Sequence, residues 1–113
     1  VLRAYGSPVR VHDSTDPDID AVFCGSDTVA RGVRDGLTEA GRSVPHDVAL
    51  IGVDNWALVA EACRPPLTSV DLNLEAVGRR SGELLLSAIE GHPSPGLHSV
   101  PCRLIVRDSA APQ

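Results

Sequence analysis

Between residues 19 and 106 short apolar runs alternate with longer stretches in which apolar residues recur every three or four positions. Ile19-Asp-Ala-Val-Phe-Cys24 has β-branched and aromatic members and closes at Gly25, which predicts a buried strand. Behind it Ser26 or Asp27 can cap a helix whose Val29, Ala30, Val33, Leu37 and Ala40 share one face, with Gly41 as the left-handed stop and Pro45 preventing resumption. Val48 to Val53 is too short and too β-branched for an independent helix and reads as a central parallel strand. Residues 57–63 can form a short helix, ended by Pro65-Pro66, and Leu67-Thr-Ser-Val70 reads as a third strand. Asn73 can cap the longest helix, which carries Leu74, Val77, Ser81, Leu84, Leu85 and Ala88 on one stripe up to Ile89, before a last strand at Val100 to Val106. Strand, helix, strand, short helix, strand, long helix, strand is an α/β order, with a largely parallel sheet flanked by helices. Residues 1–18 are polar and broken by turn signals, with one possible strand at Val9 to His12.

In open parallel sheets, ligands sit beyond the carboxyl ends of the strands. Two polar clusters occupy such places: Gly25-Ser26-Asp27 behind the first clear strand and Asp54-Asn55-Trp56 behind the second. The Asp54 carboxylate accepts hydrogen bonds, Asn55 and Ser26 donate and accept, and an indole can cover the apolar face of a sugar ring. That set suits a polyhydroxylated ligand. The same residues have a plainer explanation, since Asp and Asn are ordinary turn residues after a strand, Asp27 is an ordinary helix cap, and a lone Trp often packs.

Composition narrows the chemistry. With 113 residues, 42% of them hydrophobic, the chain can build one ordinary core. A formal charge of −5 argues against a nucleic-acid surface, because phosphate neutralisation needs clustered cations and the ten basic residues are scattered. All ten are Arg, so a Gly-rich phosphate cradle ending in lysine is excluded, and a phospho-acceptor reading of Asp54 loses the lysine it would need. Neither a serine-hydrolase elbow nor a dinucleotide fingerprint occurs, and no enzyme is expected. The four histidines lack the spacing of a metal pair, and Cys24, Cys63 and Cys102 read as buried small hydrophobes; no metal or cofactor is expected. No apolar run approaches a membrane span and no signal core is visible, so a soluble, cytoplasmic protein is expected. The absence of Met, even at position 1, suggests a piece of something longer.

Taken in order, Ala21-Val-Phe-Cys-Gly-Ser-Asp27, Ala40-Gly-Arg-Ser-Val-Pro45, Asp47-Val-Ala-Leu-Ile-Gly-Val-Asp-Asn55, Arg64-Pro-Pro-Leu-Thr-Ser-Val70, Gly78-Arg-Arg-Ser-Gly-Glu-Leu-Leu-Leu86 and Leu104-Ile-Val-Arg-Asp-Ser109 resemble the effector-binding domain of LacI/GalR transcriptional regulators. The resemblance covers residues 19 to 109 and implies one lobe of a periplasmic-binding-protein-like fold, which closes with a second lobe on a small effector such as a sugar. Residues 19–113 would be the C-terminal lobe, and 1–18 the irregular remnant of what lies upstream.

The resemblance also implies roles. Ser26 and Asp54 match polar ligand contacts, Trp56 joins them as a candidate, and Asp27 matches the acid that opens the following helix and completes the candidate ligand set. Val33, Arg34, Leu37 and Leu58 match segments that pair two subunits, and simple lobe packing explains them equally. A homodimer is implied, with DNA read only through an upstream helix-turn-helix that this sequence does not contain. Val53 stands where relatives carry Phe or Tyr, and Ser26 where Asn is frequent, so the effector of better-known relatives does not carry over. Two other readings stay open: a fragment of a solute-binding protein from sugar transport, and a truncated regulator remnant without function.

Overall fold

The computed structural model describes residues 18–110, so the possible strand at Val9 to His12 lies outside the described residues. The elements run β1 (Ala21–Phe23), α1 (Asp27–Glu39), β2 (Ala49–Val53), α2 (Ala57–Ala60), β3 (Thr68–Asp71), α3 (Leu74–Ile89) and β4 (Arg103–Ile105). They form one four-stranded sheet in the order β1-β2-β3-β4, an α/β architecture of the expected kind. β1, β2 and β3 are parallel, with Phe23 opposite Ile51 and Gly52 opposite Ser69, while β4 returns antiparallel to β3.

The apolar runs become strands because their alternate residues enter a core shared with α1 and α2. Leu50 of β2 meets Cys24, Ala30, Val59, Ala60, Cys63 and Leu67 in one cluster, with Val22, Val33 and Val44 packed at its edge. Full burial of leucines such as Leu37, Leu50 and Leu67 is worth about 1.5–3 kcal/mol each. Burial also pushes the Cys24 thiol above its ordinary range, which keeps it protonated. Cys102 departs from expectation and is exposed, because it precedes the short edge strand β4.

α1 starts where Ser26 accepts the Val29 amide at 3.2 Å, and Gly41 ends it at φ +75°. Its 3.6-residue period brings Ala30 and Leu37 to full burial, whereas Val29, one position away, turns outward and is 55% exposed. β1 is not the buried strand expected: among the described residues it pairs only with β2, and Phe23 is 45% exposed on its open side. Beyond β4 the chain closes the opposite end of the sheet. There Ser109 receives the Leu50 amide on its carbonyl and the Thr68 amide on its hydroxyl, both at 2.8 Å, and stitches β2 to β3.

α3 differs from its expectation in two respects. Asn73 adopts a left-handed conformation (φ +55°) that turns its side chain away from the first helical amides and toward the Pro101 carbonyl, so it makes no side-chain cap. None of the sixteen residues of α3 is buried: Leu74, Val77, Leu85 and Ile89 lie open on the predicted stripe, and Leu86 beside it is open as well.

Candidate functional site

Parallel pairing of β1 with β2 sends both chains out at one rim, β1 into Gly25-Ser26 and β2 into Asp54-Asn55-Trp56. Ser26 is half-buried there, with its hydroxyl oxygen accepting the Val29 amide and its proton uncommitted among the described residues. Asp54 is exposed, and its carboxylate has no partner among the described residues. Trp56 is 55% exposed. The ends of β1 and β2, which lead into Ser26 and Asp54, thus lie at the same edge of the sheet.

The turn that carries Asp54 is strained. Asp54 has φ +103° and Asn55 φ +51°, two successive residues with side chains on the side of the backbone map that favours glycine. Asn and Asp tolerate this best, and three amide bonds hold it. The Asp54 amide donates to the Val70 carbonyl at 2.9 Å, the Asn55 amide to the Ser69 hydroxyl at 3.0 Å and the Trp56 amide to the Asp27 carboxylate at 2.8 Å. The Ser69 hydroxyl in turn donates to the other Asp27 oxygen at 2.6 Å.

Asp27 is thus not at the rim but beneath it, 1% exposed with both carboxylate oxygens occupied, so the expectation that it touches ligand is corrected. Asn55 is also committed, its side-chain oxygen accepting Arg107 at 2.8 Å. Arg107 is the residue that the pattern did not single out. It reaches the Leu67 carbonyl and Asn55 with its guanidinium, lies 3.7 Å from Glu61, and exchanges backbone bonds with the Thr68 hydroxyl. Its only sequence signal is a single cation at the end of the apolar run Leu104-Ile-Val106.

The subunit-contact candidates separate. Leu37 is fully buried and offers a partner no surface, because its helical period turns it inward with Ala30. Val33 packs at the core edge, Arg34 pairs with Asp35 at 2.8 Å and reaches the Arg64 carbonyl, and Leu58 is 74% exposed. A separate shallow cavity of about 390 Å³ lies between Arg34, Thr38, Arg42, Ser43, Arg64 and Pro65, away from the rim. Its arginines are already turned onto main-chain carbonyls: Arg34 onto Arg64, Arg42 onto Ile19, and Arg64 onto Glu61 and Cys63. Among the described residues no group of three or more His, Cys, Asp or Glu is placed to hold a metal ion, and no helix is long and apolar enough to cross a membrane.

Residues 3–110 match the family described as periplasmic binding protein-like domain. The transcriptional regulator CelR of Thermobifida fusca is 40% identical over 94 residues, which is 82% of this chain and 27% of CelR. The sucrose operon repressor of Escherichia coli is 37% identical over 93 residues, again 82% of this chain and 27% of the repressor. The chain therefore spans about a quarter of the length of these relatives. Among solved structures, the CelR–cellobiose complex superposes with a TM-score of 0.74 at 40% identity, covering 83% of this chain and 29% of that one. A LacI family regulator from Arthrobacter in complex with lactose gives 0.74 at 36% identity, covering 84% and 37%.

Proposed function

The chain belongs to the periplasmic binding protein-like family, in the form carried by LacI-type transcriptional regulators, and on that premise we propose that its rim is one wall of an effector site for a small carbohydrate. The observation that carries the reading is that the exposed Asp54 carboxylate, unpartnered among the described residues, and the Ser26 hydroxyl follow the carboxyl ends of two adjacent parallel strands. Asp54 accepts from sugar hydroxyls, Ser26 donates to one, and the half-exposed indole of Trp56 covers an apolar ring face. Related structures are complexes with cellobiose, lactose and sucrose, which supports a disaccharide as the first class to test.

In this reading residues 19–113 are the C-terminal lobe, and a second lobe supplies the opposite wall. The uncovered leucines of α3 support that reading, since a stripe of this kind calls for further protein against it. Effector contact would then favour one arrangement of the lobes and change the DNA affinity of a reader joined to them. Val33, Arg34 and Leu58 remain candidates for pairing two subunits in a cytoplasmic dimer. The regulators among the relatives favour this over a solute-binding protein of sugar transport.

Calorimetric titration of cellobiose, sucrose and lactose against wild type and Asp54→Ala tests the site. Loss of a charge-assisted hydrogen bond costs about 1.5–3 kcal/mol, so affinity for the disaccharide that binds falls at least roughly tenfold. Undiminished affinity in the variant removes Asp54 from the site.

A further inference from the structure

We propose that Asp27 is the positioning residue of the rim: through the Ser69 hydroxyl and the Trp56 amide it holds residues 54–56 in the left-handed turn that displays Asp54 and Trp56. The inference rests on the effector reading for its use, but its geometry stands by itself.

Three elements meet at this carboxylate. It is the first residue of α1, it receives Ser69 from β3 at 2.6 Å, and it receives the amide that follows β2 at 2.8 Å. Its place is cleared by Gly52, where an added Cβ would collide with the Asp27 carboxylate and come within 2.9 Å of Leu67. A carboxylate 1% exposed would be costly to bury unless its lone pairs were filled, and here both oxygens are used. The return is local rigidity. Asp54 and Asn55 adopt positive φ only if the surroundings over-determine them, and the second and third of the three amides that do so are bonded to the Ser69–Asp27 pair. Only the first, Asp54, is held by the sheet itself, through Val70.

An ordinary helix cap would not be wired in this way. The capping of α1 is already done by Ser26, whose hydroxyl accepts the Val29 amide, while the Asp27 side chain points across to β3 and the β2–α2 turn. Asp27 therefore acts on the ligand through other groups: its loss would leave Asp54 chemically intact but free to leave the rim.

The test uses Asp27→Asn and Ser69→Ala in the 113-residue chain, with backbone hydrogen exchange and acrylamide quenching of Trp56, the chain's single tryptophan. Exchange at Asn55 is expected to rise at least about tenfold in both variants and that at Trp56 in Asp27→Asn, where Trp56 should also become more quenchable, while the amides within α1 and β2 keep their protection. In the Asp27→Asn background, Asp54→Ala should weaken cellobiose, sucrose or lactose binding less than it does in wild type, because the carboxylate is no longer held in place. Unchanged exchange at residues 54–56 in either variant overturns the proposal, and so does a uniform loss of protection through α1 and β2, which would mark Asp27 as a general support. If Asp27→Asn fails to fold, Ser69→Ala decides alone, since it keeps the buried carboxylate and its bond to Trp56. The exchange measurement needs no ligand, so a wild type that binds no disaccharide would count against the effector reading and leave this one to be judged separately.

Discussion

Helices α1 and α3 both carry apolar residues at three- and four-residue steps, but Ala30 and Leu37 of α1 are enclosed whereas α3 has no buried residue. The difference lies in what each helix finds beside it. α1 enters from the end of β1, is capped by Ser26 and lies across β2 against α2, so its stripe closes the core. α3 enters through a left-handed Asn73 without a side-chain cap, and Leu74, Leu85, Leu86 and Ile89 meet open surface. Amphipathic periodicity states that a face is to be covered. It does not state by what.

The comparison sharpens through substitutions, the largest effect first. Leu37→Ala leaves a cavity under α1 and should lower stability in urea unfolding by about 2–5 kcal/mol; a cost under about 1 kcal/mol would mean that α1 is no better packed than α3. Ser26→Ala removes the α1 cap and should cost about 1 kcal/mol, read as a lower melting temperature. At Asn73, whose side chain caps nothing, Asn73→Gly is expected to cost little, because glycine adopts the same left-handed backbone without strain. A smaller effect follows α1, where Ser43 donates its amide and its hydroxyl to Asp47, each at 2.7 Å, and holds that carboxyl below its ordinary range. A lowered folded-state value contributes stability that is complete above the unfolded carboxylate range and is lost as pH falls through the folded value. Asp47→Asn should therefore lower stability at neutral pH, where the ionised carboxylate contributes, and leave the acid end little changed, so that the acid limb of the stability profile flattens. The smallest effect is at Leu85→Ala on α3, expected within about 0.5 kcal/mol of wild type because its side chain is already 62% exposed. A cost as large as that of Leu37→Ala would show that the α3 stripe is covered after all.

Much of this organisation was legible in the residues. The runs Val48 to Val53 and Leu67 to Val70, in which β2 and most of β3 form, the glycine stop at Gly41 and the parallel strand ends that lead into Ser26 and Asp54 all follow from patterns that depend on near neighbours or on the parallel-sheet rule. What was not legible depends on distant partners. Asp27 looks the same in sequence whether it caps a helix or anchors a turn, because Ser69, which decides the matter, is 42 residues away. Arg107 gave no sign of its hold on Asn55, 52 residues earlier. Phe23 read as interior because a run of apolar residues does not reveal whether its strand lies at an edge. Leu37 read equally as core or as subunit contact until α1 was set against β2.

The rim assignment is tested most directly by backbone amide chemical shifts of the isotope-labelled chain during titration with cellobiose, sucrose and lactose. At least one of the three should move the amides of Gly25, Ser26, Asp27, Asp54, Asn55 and Trp56 together in a saturable manner, while those of α3 and of the Arg34–Arg64 cavity stay in place. Saturable shifts confined to α3 or to that cavity, or no shifts with any of the three at millimolar concentration, would contradict it.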